Sequence, residues 1–159
     1  MRPALMLCAA ALAGCATRID VREVASSQYC DTPGAASRVQ LLHGAAAVTA
    51  WLSERGIALA GSEPQEGVDY AVVEAGMRPT GGYGVTVAEQ ATQRGERVVL
   101  QATFSGPAPG SLQTQALSSP CALVQLPPGR HSVVEVRDAR GKAVASSDAP
   151  PVPQPGPKQ

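Results

Sequence analysis

The sequence predicts a mainly β domain with one packed helix, an α+β arrangement whose strands form an antiparallel sheet or a small sandwich. Three observations carry this expectation. From Val68 onward, apolar residues recur at every second position in short runs, the period of half-buried strands. Turns rich in glycine and proline separate those runs. Only one stretch, Gly44 to Arg55, places its apolar residues three and four apart, the period of a helix.

In chain order, residues 16–19 read as a brief tether and Asp20–Val24 as a weakly alternating first strand. Tyr29 to Gly34 reads as a turn and Arg38–Leu42 as a short strand. The helix follows, with Val48, Trp51, Leu52 and the stem of Arg55 on one face. Gly56 suits its C-cap, and its N-cap is poor. Residues 61–67 form a loop.

Val68–Met77 is the next strand and leads into a glycine turn. Tyr83–Glu89 alternates with Tyr83, Val85 and Val87 on one face. Arg97–Ser105 is the clearest strand, placing Val98, Leu100, Ala102 and Phe104 together. Gln115–Leu126, interrupted by Pro120, reads as an edge or bulged strand, because proline cannot donate to a ladder. His131–Asp138 and Lys142–Ala145 complete a globular region spanning 20–147. Residues 148–159 are a proline-rich tail expected to stay extended and disordered.

The N-terminus bears on compartment. Arg2 precedes a short apolar run, Ala4–Ala13, which is too short to span a bilayer and fits a secretory signal. It ends in Leu12-Ala13-Gly14-Cys15, which resembles the bacterial lipobox, where cleavage of residues 1–14 leaves Cys15 to be acylated. Each buried CH₂ of such chains contributes about 0.8 kcal/mol, so several chains form an essentially permanent anchor. No aspartate follows Cys15. Resemblance to Gram-negative lipoproteins therefore implies the outer membrane, with the domain facing the periplasm.

Loss of 1–14 removes Arg2 and leaves 145 residues with 12 basic against 13 acidic side chains, a net of −1. A nucleic-acid partner, which needs a basic face, is not expected. Cys8 departs with the signal and Cys15 takes the lipid. Cys30 and Cys121 then remain as an even pair in an oxidising compartment, predicting a disulfide.

The inventory for catalysis is thin. His43 and His131 are the only histidines, and no HExxH, CxxC or GxSxG spelling surrounds them. Cys30, Asp31, His43 and Cys121 lack ligand-like spacing, so no metal site is expected. The GGYG stretch is followed by neither a helix N-terminus nor a lysine, which argues against a phosphate cradle. No enzyme activity, cofactor or small-molecule substrate is expected. The chemistry left is binding.

The best contact candidate is Pro79-Thr80-Gly81-Gly82-Tyr83. A Gly-Gly pair between alternating strands suits a tight hairpin with positive φ angles. It also lets a partner's backbone approach while Tyr83 offers an amphipathic ring. Residues 76–83 (Gly-Met-Arg-Pro-Thr-Gly-Gly-Tyr), the strand 98–104, Gly106-Pro107 and residues 119–127 (Ser-Pro-Cys-Ala-Leu-Val-Gln-Leu-Pro) together resemble the C-terminal domain of the PrcB family over about 71–127. That family is named for a lipoprotein subunit of a bacterial surface protease complex. The resemblance implies a non-catalytic accessory role, binding and stabilising or positioning a protease subunit. Cys121 stands where the family pattern usually has an aromatic residue, so a disulfide to Cys30 is expected to replace that wedge and tie the N-terminal segment to the sheet. Pro79–Tyr83 also resembles the proline-threonine-glycine-aromatic loop of chagasin-type cysteine-protease inhibitors, although that family's two other loops are missing. A structural envelope lipoprotein without a protease partner is the third reading.

Overall fold

Strand β4 (Asp69–Glu74) is buried at all six positions, and the rest of the molecule is arranged to cover its two faces. The computed structural model describes residues 15–59 and 63–148. The expected signal peptide (1–14) lies outside the described residues, as does the proline-rich tail from 149 on. Within them are ten strands in two sheets and one helix.

The inner sheet has the order β2-β8-β4-β3, formed by β2 (Arg22–Ser27), β3 (Arg38–His43), β4 and β8 (Cys121–Gln125), all antiparallel. The outer sheet has the order β1-β6-β7-β9-β10. Its strands are β1 (Thr17–Asp20), β6 (Gln90–Arg94), β7 (Arg97–Ser105), β9 (Val133–Arg137) and β10 (Ala143–Ser146). β5 (Gly84–Val87) lies off this path, pairing the far half of β7.

Alternation along β4 sends Ala71 and Val73 toward the outer sheet, where they pack with Val98, Leu100, Val134 and Val136. Tyr70 and Val72 point the other way, against Val48, Trp51 and Leu52 of helix α1 (Gly44–Arg55). The result is three layers: helix, inner sheet, outer sheet. Each fully buried aliphatic side chain contributes roughly 1.5–3 kcal/mol.

The helix matches its sequence pattern closely. Gly56 closes it in the left-handed region (φ 61°), its amide returning to the Leu52 and Ser53 carbonyls, and His43 supplies no side-chain cap at the start. Arg55 lies over the Trp51 ring at 4.8 Å and donates from Nε to the Cys30 carbonyl at 3.1 Å. Cys30 is disulfide-bonded to Cys121 with 6.0 Å between Cα atoms, as the cysteine count predicts. Closing 91 residues of chain stabilises the fold by up to about 4–5 kcal/mol in the chain-entropy picture.

Four expectations need correction. Residues 17–19, read as tether, belong to strand β1 (Thr17–Asp20), paired with β6, which leaves Ala16 alone between Cys15 and the sheet. The outer sheet is not purely antiparallel, since β7 and β9 run parallel. Residues 115–117 are not strand, and Pro120 precedes β8 instead of interrupting it. β8 is thus a central strand, and the Pro120 carbonyl still accepts the Ala75 amide at 2.8 Å. Finally, β4 and β5 do not pair. They belong to different sheets, so the segment joining them is a crossover and not a hairpin.

Glu74, at the end of β4, accepts a hydrogen bond from Thr32 Oγ1 at 3.1 Å. Burial pushes its pKa above the ordinary 4.5, outweighing the Thr32 bond and the nearby Arg38 and Arg55 charges. The neutral carboxyl is thus favoured in the folded state. This contribution is fully present below 4.5 and is lost as pH rises through the raised value. Glu74→Gln should therefore raise the melting temperature at pH 7, with the advantage shrinking as pH falls through the raised value toward 4.5. An advantage that grows on acidification would contradict the assignment.

Candidate functional site

The crossover Ala75–Tyr83 is held by backbone hydrogen bonds on two sides. Met77 N–H donates to the Gly34 carbonyl at 2.7 Å, and Arg78 and Ser118 exchange both backbone bonds at 2.7 and 3.0 Å. Gly81 N–H donates to the Thr114 carbonyl at 3.0 Å, and Ser118 Oγ donates to the Thr80 carbonyl at 2.7 Å. Ser119 in turn pairs with the N-terminal segment: its amide donates to the Gln28 carbonyl, and its own carbonyl accepts the Cys30 amide. Three separate stretches, 28–30, 118–120 and 75–81, are thereby fastened side by side, with the disulfide at one corner.

This end of the molecule also carries exposed apolar surface. Among the described residues, the exposed large hydrophobics are Tyr29 (60%), Met77 (42%), Leu112 (102%) and Leu117 (61%). Tyr29 and Met77 lie in the fastened stretches, Leu117 directly precedes Ser118, and Leu112 is two residues ahead of Thr114. Tyr29 bridges to Ser119, and Met77 and Leu117 each adjoin the Arg78–Ser118 bridge. Leu112 precedes Gln113 and Thr114, which lie against Gly82 and Gly81.

The five sequence-predicted residues have unequal roles. Pro79 and Gly82 are exposed, and Thr80 and Gly81 are half-buried. Tyr83 is half-buried too, with the Arg78 guanidinium 5.9 Å from its ring centre and its edge against Gly106. It is thus partly a packing residue, not a freely offered ring. The glycines also differ. Gly82 has φ 81°, and a Cβ there would collide with the Gln113 side chain, whereas Gly81 lies outside the positive-φ region and its added Cβ would make ordinary contact with Thr114. Of the Gly-Gly pair, only the second glycine is required by conformation.

Sequence reasoning missed a different constellation. Asp69, at the start of β4, accepts from His43 Nδ1 at 2.9 Å and from His131 Nδ1 at 3.0 Å. The His131 side chain is wholly buried and its Nε2 has no partner, whereas that of His43 is 65% exposed. Neither Nε2 meets a hydroxyl or thiol among the described residues, so no nucleophile is activated there. No group of three His, Cys, Asp or Glu side chains is placed to hold a metal among the described residues. The cluster joins β3, β4 and the approach to β9. No sequence motif signals it; the pairing of β3 with β4 sets His43 opposite Asp69. Cys15 is exposed with a free thiol.

The family model described as PrcB C-terminal matches residues 70–127, the span from β4 through β8. No curated protein and no solved structure matches the chain.

Gly82→Ala should cost about 1–2 kcal/mol of stability, the cost of a left-handed backbone for a residue with Cβ, plus displacement of Gln113. Gly81→Ala should change stability by less than about 0.5 kcal/mol, as at an ordinary surface position. Chemical denaturation of the two variants reads the difference, and equal losses would contradict the backbone assignment.

Proposed function

We propose that this chain is a non-catalytic, lipid-anchored accessory subunit of a protease complex, held at the outer membrane through Cys15 and binding its partner with the surface around the Ala75–Tyr83 crossover. The family supports the association with a protease complex. The observation that carries the contact surface is that Tyr29, Met77, Leu112 and Leu117, the exposed large hydrophobics among the described residues, belong to the crossover or to segments fastened around it.

The two ends of β7 make anchoring and binding compatible. β1 pairs Thr17 with Gln93, next to the turn that joins Arg94 to Arg97, so Cys15 lies at that end of the outer sheet. The crossover leads into Gly84, opposite Ser105 at the other end. Nine residues of β7 separate the ends by about 27 Å at the usual strand rise. A lipid on Cys15 would therefore hold the contact surface away from the bilayer, facing the periplasm. Insertion of the crossover into a protease cleft, as a chagasin-like inhibitor would require, is less favoured. Gly81 is bonded to Thr114 and Tyr83 is packed under Arg78.

Leu117 is exposed and makes the cleanest probe. Leu117→Asp should leave the melting temperature unchanged and weaken capture of a peptidase in a crosslinking pull-down from envelope membranes. The expected loss is on the order of 2 kcal/mol, about thirtyfold. Added in stoichiometric amount, the intact chain should preserve that peptidase's activity. A lowered activity would point to the inhibitor instead. If neither protein captures a peptidase, the reading gives way to a structural envelope lipoprotein.

A further inference from the structure

The geometry points to a second interaction surface, independent of the crossover: the open seam between β2 and β5 accepts an extended peptide segment bearing lysine or arginine, which pairs with the free edge of β5. The seam arises because β1 leaves its partner. It follows β6 from Thr17↔Gln93 to Asp20↔Gln90, and Val21 N–H makes one more bond to the Glu89 carbonyl at 2.8 Å. The chain then turns into the inner sheet as β2, pairing with β8. β5 continues the line of β6 along β7, yet beyond Val21 nothing pairs with its other side among the described residues. The free edge of β2 faces the same gap, since β8 is its strand partner. A cleft of about 520 Å³ opens there, lined by Asp20, Val21, Arg22, Glu23, Thr86, Val87, Glu89 and Gln90.

The register identifies the free backbone groups. Ala88 N–H donates to the Gln101 carbonyl at 2.9 Å, on the same antiparallel register as β5 with β7. Bonding partners alternate along such a pair, so Gly84 and Thr86 face β7 while Val85 and Val87 present their N–H and C=O to the seam. Two extra residues accommodate the change of register between β5 and β6, and β2 carries its own irregularity between Glu23 and Ala25. Bulges of this kind bend strands away from each other and recur where an edge is used or protected. An added strand would bridge the gap between the two sheets and satisfy groups that an open edge leaves to water.

Charge selects the occupant. Asp20, Glu23 and Glu89 make no ion pair among the described residues, and the lining cation Arg22 is turned to Gln125 Oε1 at 2.8 Å. The mouth of the cleft is therefore acidic over a floor of Val21 and Val87. An incoming strand with small β-branched residues toward the floor and basic residues toward the rim fits both features.

The test is a titration of the ¹⁵N-labelled, oxidised full-length chain with an acetylated, amidated hexapeptide alternating valine and lysine. Two control peptides accompany it, one with glutamate for lysine and one with alternate backbone nitrogens methylated. Amide shifts confined to residues 20–23 and 84–90 are expected with the lysine peptide. Binding should be at least about tenfold weaker for the glutamate peptide and lost on N-methylation. A Glu23→Gln, Glu89→Gln double variant, altered only at exposed side chains, should weaken the lysine peptide by about the same factor. No shifts in the seam, or equal binding of all three peptides, would overturn the proposal and leave the carboxylates as guards against edge-to-edge pairing. Either result is separable from the crossover reading, because Leu117 lies in the other surface.

Discussion

The burial of β4 on both faces is the constraint from which the other features follow. A strand enclosed this way can carry polar groups only where they find partners. Both of its polar residues sit at its ends and are answered there: Asp69 by two histidines, Glu74 by Thr32. Between them, Tyr70 to Val73 need an apolar layer on each side, which the helix and the outer sheet supply. Both edges of β4 are taken, by β3 and by β8, so the chain leaving it cannot return along it in a hairpin. It has to pass around the end of the inner sheet into the outer one, and the Ala75–Tyr83 crossover is that passage.

Such a passage exposes backbone that needs hydrogen-bond partners. The partners come from distant segments, Gly34 on one side and Thr114 and Ser118 on the other. At Gly76 (φ 81°) an added Cβ would lie 2.6 Å from the Ala36 carbonyl oxygen, so the N-terminal loop is pressed directly against the crossover. The Cys30–Cys121 bond holds the other flank of the same assembly, next to the Tyr29–Ser119 bridge. Fastening of this density gives a surface whose ordering cost has already been met in folding. This lowers the entropy lost when a partner binds.

Local signals were legible in the sequence. The 3–4 spacing of Val48, Trp51 and Leu52 with Gly56 behind them placed the helix and its cap, and the alternation from Val98 to Phe104 placed β7 and its buried face. The cysteine count pointed to the disulfide. What escaped the reading depends on pairing between distant residues. Two alternating runs flanking Gly81-Gly82 read naturally as a hairpin, because nothing local says that β4 pairs with β3 and β8 while β5 pairs with β7. Pro120 looked like an interruption of an edge strand, yet it stands one residue ahead of a central one. The Asp69 cluster joins groups 26 and 62 residues apart in the chain and leaves no motif. The contact surface was half legible: Pro79–Tyr83 stood out by spelling, whereas Tyr29, Met77, Leu112 and Leu117 join it only through register.

The crossover is a preformed, fastened surface. Amide hydrogen exchange of the oxidised chain tests it directly, at Arg78, Gly81 and Ser118. Slow exchange is expected at these three positions, closer to β4 than to the exposed loop residue Leu112. Exchange at all three as fast as at Leu112 would contradict it, and the surface would then be a loop that acquires its shape only on binding.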